Sequence, residues 1–198
     1  TNGSYGTQGQ PSTLNIPGAR DAAMAWTDPA GDFWLFGGWG YPSTGTTANP
    51  LNDLWKYDPV AGTWTWMKGS TGINAGSVFG TKGVAAAANT PGARSLSSTW
   101  VDASGSLWMF GNAGTELWRY QPMTDMWTWM GGASSSTLGY SPNGVYGTQA
   151  TPAAGNIPGF RFGAASWTDM QGLLWLFGGN GYGAQGASTG DLNDLWYY

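Results

Sequence analysis

Three arginines at matching places are the first residues whose chemistry stands out. Each closes a Pro-Gly-x-Arg segment: Pro17-Gly18-Ala19-Arg20, Pro91-Gly92-Ala93-Arg94 and Pro158-Gly159-Phe160-Arg161. An acid follows each one at a corresponding place, as Asp53, Glu116 and Asp194. A cation and an anion that repeat together read as a recurring ion pair, and a guanidinium matches a carboxylate in a two-pronged geometry. A second group of residues is aromatic. Trp39, Tyr41 and Tyr182 sit in stretches of Gly, Ser and Thr. Aromatic platforms among small polar groups suit sugar rings, which have apolar faces and hydroxyl edges, and loops on a rigid scaffold are where function concentrates. They equally suit packing onto a neighbouring element.

Other chemistries are excluded by what the chain lacks. It has no cysteine, hence no disulfide, zinc-thiolate or iron–sulfur site. It has no histidine, hence no Ser-His-Asp triad and no imidazole metal site. Glu116 is the only glutamate, and no pair of carboxylates stands out as acid and base. No metal or cofactor is expected. The net charge is −4 and the seven basic residues are scattered, which argues against nucleic acid. No apolar run is long enough to span a membrane. Asp191, Asn193 and Asp194 lack the spacing of a calcium loop.

The elements that position these residues come in repeats. Trp26 and Trp34, Trp100 and Trp108, and Trp167 and Trp175 are pairs eight residues apart. Asp-x-x-Gly lies inside each pair, at Asp28–Gly31, Asp102–Gly105 and Asp169–Gly172. An Asp opening and a Gly closing a short segment is hairpin-turn chemistry. Leu-Phe-Gly-Gly follows at 35–38 and 176–179, and the middle copy reads Met109-Phe110-Gly111-Asn112. Leu51-Asn52-Asp53-Leu54-Trp55-Lys56-Tyr57 matches Leu192-Asn193-Asp194-Leu195-Trp196-Tyr197-Tyr198, and Thr63-Trp64-Thr65-Trp66-Met67 matches Met126-Trp127-Thr128-Trp129-Met130. Each copy therefore predicts four short antiparallel strands. The first two of these cover 20–27 and 32–37 in the first copy. The one alanine run, Ala85–Ala88, is stopped by Asn89-Thr90-Pro91-Gly92, so no helix is expected.

Taken together these motifs resemble the kelch repeat of the galactose-oxidase/kelch-like superfamily, over essentially the whole chain. The resemblance implies an all-β, kelch-type β-propeller segment with one blade per repeat: about 18–68, about 92–131 and about 159–198 in a single domain, joined by inter-blade loops 69–91 and 132–158. The repeats are longer than the usual kelch length of about 50 residues. The excess lies in those inter-blade loops and in the loops Trp39 to Pro50 and Asn180 to Asp191. Tyr5-Gly6-Thr7 matches Phe79-Gly80-Thr81 and Tyr146-Gly147-Thr148, and Tyr198 matches Tyr57. On this alignment the third blade lacks its fourth strand, which gives eleven strands. Three blades are fewer than the four to eight of a closed ring. Two readings compete: a fragment of a six- to eight-bladed parent, or, as the first choice, a homodimer completing a six-bladed ring.

By the same resemblance, Arg20, Arg94 and Arg161 open the innermost strands, where kelch binding modules line a pocket with arginine, so they are candidates to clamp a carboxylate, phosphate or acidic peptide. Copper oxidase chemistry within the superfamily needs histidine and cysteine and fails here; sugar isomerase-type activity is the least favoured reading. The expected function is non-catalytic binding or scaffolding through protein–protein interaction and self-assembly. The alternative is a carbohydrate-binding module using Trp39, Tyr41 and Tyr182. The partner other than the chain itself is an unidentified protein or glycan. Low charge, Gly/Ser/Thr-rich loops and abundant tryptophan fit a secreted or cell-surface bacterial-type protein.

Overall fold

A computed structural model of the chain describes residues 1–133, 143–185 and 188–198. Among the described residues it is all-β, with fifteen strand segments and no helix. The first sheet contains β1 (Arg20–Asp21), β2 (Met24–Thr27), β3 (Phe33–Gly40), β4 (Asn49–Asp58) and β5 (Thr63–Lys68). The second contains β6 (Ser98–Val101), β7 (Leu107–Phe110), β8 (Leu117–Gln121) and β9 (Met126–Gly131). The third repeat forms two small sheets. The smaller is β10 (Arg161–Phe162), β13 (Asn180–Gly181) and β14 (Gly190–Asp191); the other, the third sheet of the series, is β11 (Ala165–Thr168), β12 (Leu174–Phe177) and β15 (Leu195–Tyr197). All pairings are antiparallel.

The turns follow from side-chain chemistry. Asp28 Oδ1 accepts from the backbone N–H of Ala30 at 2.9 Å and of Asp32 at 3.0 Å, and its Oδ2 accepts from Trp34 Nε1 at 2.8 Å. Asp102 and Asp169 repeat the pattern, including the indole bonds from Trp108 and Trp175, both 2.7 Å. The Asp-x-x-Gly segments are therefore structural, each holding the hairpin and the indole of its second tryptophan at once. That fixes one register three times, with Trp26 opposite Trp34, Trp100 opposite Trp108 and Trp167 opposite Trp175.

Three expectations are corrected in detail. The first predicted strand, 20–27, is broken at Ala22, which has a φ of 50°; Leu96 and Gly163 stand at the same point with φ of 54° and 65°. The loop expected from Trp39 to Pro50 is shorter. Trp39 and Gly40 belong to β3, Asn49 and Pro50 to β4, and they pair with each other, so only 41–48 is loop. Finally, Arg20 and Arg161 open β1 and β10, whereas Arg94 lies in no strand. The reason is local. β1 exists because it pairs with Trp39–Gly40, and β10 because it pairs with Asn180–Gly181. The second repeat passes from Phe110 to Leu117 with no such extension, so Arg94 has no strand edge to join.

The sheets bury their faces on one another. Met24, Trp26, Trp34, Phe36 and Leu54 of the first sheet form one buried cluster with Leu107, Met109, Trp118, Tyr120 and Trp127 of the second. Trp100, Trp108 and Phe110 on the other face of the second sheet meet Leu174 and Leu176 of the third. Equivalent hydrogen bonds cross both boundaries: Trp26 Nε1 donates to the Trp108 carbonyl at 3.0 Å, and Trp100 Nε1 to the Trp175 carbonyl at 2.7 Å. So do equivalent ring contacts, Trp34 with Tyr120 at 5.4 Å and Trp108 with Tyr198 at 5.2 Å. Gly37 shows why a glycine pair follows Leu-Phe. Its φ is 60°, and a Cβ there would stand 2.7 Å from the carbonyl oxygens of both Arg94 and Leu51. The next N–H, of Gly38, donates to that same Arg94 carbonyl at 2.8 Å.

Candidate functional site

The recurring arginine and acid meet in every repeat. Arg20 grips Asp53 with both prongs, Nη1 to Oδ1 at 2.6 Å and Nη2 to Oδ2 at 2.7 Å. Asp53 Oδ2 also accepts from Trp55 Nε1 at 2.7 Å and from the Tyr5 hydroxyl at 2.6 Å. Arg161 grips Asp194 in the same way, at 2.6 and 2.8 Å, with Trp196 Nε1 at 2.7 Å and the Tyr146 hydroxyl as further donors. In the middle repeat Arg94 Nη2 donates to Glu116, joined by Trp118 Nε1 at 3.1 Å. Phe79 stands where the other repeats have Tyr5 and Tyr146, and it packs on Trp118 instead.

Electrostatics at these nodes follow from burial and pairing. Burial disfavours a charged Asp194, but the bonds from Arg161, Trp196 and Tyr146 outweigh it and hold its pKa down at about 2. Burial, reinforced by the Asp194 carboxylate, pushes the Tyr146 hydroxyl up to about 12. Tyr5 and Tyr120 are raised by burial and by their partners Asp53 and Asp125. Burial alone would lower Arg20, yet the Asp53 carboxylate beside it raises it. Each guanidinium is thus enclosed and committed to an acid of its own repeat, and none is presented to solvent as an anion clamp.

The loop aromatics differ in burial. Trp39 is half exposed on the end of β3. Tyr41 and Tyr182 follow β3 and β13 at matching points, each partly buried, with their N–H groups donating to the carbonyls of Ala19 at 3.0 Å and Phe160 at 2.9 Å. Trp39 and Tyr41 belong to the first repeat and Tyr182 to the third. Among the described residues there is no cluster of acids that could hold a metal ion.

What the structure leaves open is a pair of sheet faces. The outward face of the third sheet carries Trp167 at 44% exposure, Phe177 at 45% and Leu195 at 54%. The same positions in the first sheet, Trp26, Phe36 and Leu54, are 5%, 0% and 0% exposed because the second sheet covers them. The outward face of the first sheet carries Phe33 at 46%, whereas its counterparts Leu107 and Leu174 are covered. One end of the series thus presents donors and rings of the kind that Trp26 and Trp100 represent. The other end presents their acceptors. Among the described residues no neighbouring sheet lies over Trp167, Phe177 and Leu195 at one end or over Phe33 at the other.

A third group escaped the sequence reading. Asn15, Asn89 and Asn156 recur nine residues after Gly6, Gly80 and Gly147. Asn15 Nδ2 donates to the Gln10 carbonyl at 2.9 Å and to the Trp64 carbonyl at 3.0 Å; Asn89 does the same to Val84 and Trp127, both at 3.0 Å. A side chain at any of the three glycines would collide with the Oδ1 of its asparagine. The fixed Gly-to-Asn spacing was the available signal. Comparison with known protein families and with curated proteins finds no match to this chain.

Proposed function

We propose that the chain is a non-catalytic binding module that works by self-assembly. Its three repeats act as propeller blades, and the open face of the third sheet docks on the open face of the first sheet in a second copy. Two copies joined twice in this way complete a six-bladed ring. The reading is supported by one observation above the rest. Trp26 and Trp100 each send an indole N–H to a carbonyl of the following sheet, and Trp167, at the same register, has its ring half in water. In a second copy the carbonyl of Trp34 occupies the position corresponding to Trp108 and Trp175. The relation is heterologous, and heterologous contacts close into a ring when the rotation permits. Contiguous exposed apolar patches mark association sites.

The experiment is sedimentation equilibrium of the wild type beside Trp167→Glu. The wild type should weigh twice the 20.8 kDa chain. The variant should weigh one chain and keep the far-ultraviolet and near-ultraviolet circular dichroism of the wild type, because its site is half exposed already. A wild type that stays at one chain mass up to high micromolar concentration contradicts the proposal.

A further inference from the structure

The first sheet carries an exposed ring that its uncovered outward face does not account for. β1, the end of β3 and the start of β4 form a short ribbon, in which Asp21 pairs with Trp39 and Trp39 with Pro50. Cross-strand partners share a face, so Asp21 and Trp39 stand side by side. The arginines show which face it is. Arg20 alternates with Asp21 along β1 and points the other way. In the second repeat Arg94, at the position of Arg20, shares Glu116 with Trp118, and Trp118 belongs to the core between the first and second sheets. The arginine side therefore looks toward the preceding sheet. Asp21, Trp39 and Pro50 look toward the following one, which is the second sheet.

The second repeat leaves room there. It passes from Phe110 to Leu117 without a ribbon, so no matching strands stand in front of Trp39, and the ring is half exposed. At the base lies Leu96, also half exposed, whose N–H donates to the carbonyl of Ala22, next to Asp21, at 2.9 Å.

The chemistry of the pair suits a cation. Asp21 is exposed and forms no ion pair among the described residues. The acid of the third ribbon has a donor of its own, Asn180 Nδ2 to Asp191 Oδ1 at 3.0 Å. Elsewhere the chain shows what a tryptophan and an aspartate hold together. Lys56 Nζ lies 2.5 Å from Asp32 Oδ2 and 5.9 Å from the centre of the Trp34 ring. A carboxylate binds an ammonium, and an aromatic face attracts it. Asp21 offers acceptors only, and Pro50 and Leu96 have no polar side-chain atom, so the ligand must bring the donors. A sugar, which calls for donors as well as acceptors, is served less well.

We propose that Asp21, Trp39 and Leu96 form a seat for a lysine side chain of another polypeptide. The ammonium meets the Asp21 carboxylate and the face of Trp39, and the aliphatic stem runs over Leu96. The seat is open to water, so a free amine would be barely held, whereas a lysine arrives with the rest of its chain. It lies above the second repeat and uses neither uncovered sheet face, so it is independent of the self-assembly proposed above.

The test titrates the peptide acetyl-Gly-Gly-Lys-Gly-Gly-amide into isotope-labelled protein and follows the indole N–H of Trp39 by nuclear magnetic resonance. Its signal is identified by its absence in Trp39→Phe. It should move along a saturable curve at millimolar peptide. The same peptide with its lysine amine acetylated should bind about tenfold more weakly, and Asp21→Asn should weaken the lysine peptide about threefold. Asp191→Asn and Trp167→Glu should leave binding unchanged. The acetylated peptide is compared on the wild type, so that arm does not depend on any variant folding. Absence of saturable movement overturns the proposal. So does equal binding of the acetylated peptide, equal binding by Asp21→Asn, or loss of binding in Asp191→Asn or Trp167→Glu. Saturation by methyl glucoside where the lysine peptide gives none also overturns it, and assigns the ring to a sugar.

Discussion

Replacing Asp53 by leucine tests whether the repeating ion pairs are structural centres. Asp53 is fully buried and accepts four hydrogen bonds, two from Arg20 and one each from Trp55 and Tyr5. The substitution keeps the forked shape of the side chain and removes every acceptor. A guanidinium is then left buried without its counter-charge. Breaking one side of such a pair costs about 3–5 kcal/mol. Removing the cation as well, in Arg20→Met with Asp53→Leu, takes away the unpaired charge and leaves the Trp55 and Tyr5 donors and the Gly18 and Gly37 carbonyls, which Arg20 held, without these partners. The double variant should therefore cost less than the sum of the two single variants, a coupling that a double-mutant cycle in urea reads directly. A single-variant cost below about 1 kcal/mol, or strictly additive costs, would refute the account of these nodes. Binding of small carboxylates or phosphate to the wild type, lost in Arg20→Met, would instead restore the anion-clamp reading.

Other outcomes follow from the same contacts. Trp100→Ala removes a buried ring and its bond to the Trp175 carbonyl and should cost about 3–5 kcal/mol in urea unfolding, whereas Trp167→Ala at the same register in the third sheet should cost the isolated chain far less. Gly37→Ala places a methyl group 2.7 Å from two carbonyl oxygens at a φ of 60°, so its unfolding free energy should fall by more than about 1 kcal/mol. Asp194 is held at about 2 against 3.8 for a free side chain. A depressed acid stabilises the fold fully above the unfolded value, so this contribution should fade as pH drops from 3.8 toward 2, and Asp194→Asn should flatten the urea-midpoint profile there. Tyr146 is raised to about 12 from 10.0, so its contribution should persist to pH 10 and disappear by about 12, a loss missing in Tyr146→Phe.

Much of the frame was legible because short-range chemistry wrote it. Asp28, Asp102 and Asp169 announce hairpins within a few residues, and each also holds an indole six residues on, so spacing alone locates them. The acids Asp53, Glu116 and Asp194 were legible as partners of the arginines because both recur in step. What stayed hidden depends on pairings distant in the chain. Whether Arg94 opens a strand depends on the length of the segment after Phe110, not on the residues around Arg94. The difference between Trp26 and Trp167 is likewise absent from the repeat itself; it arises from what lies on the adjoining face.

The most direct test of sheets covering one another in series is the hydrogen exchange of individual indole N–H groups, followed by nuclear magnetic resonance over a range of protein concentrations. Trp26 and Trp100 should be protected at every concentration. Trp167 should exchange freely when dilute and become protected as copies associate, with the same concentration dependence as the mass. Free exchange of Trp167 in a particle of twice the chain mass would contradict the account, because the copies would then be joined by some other surface.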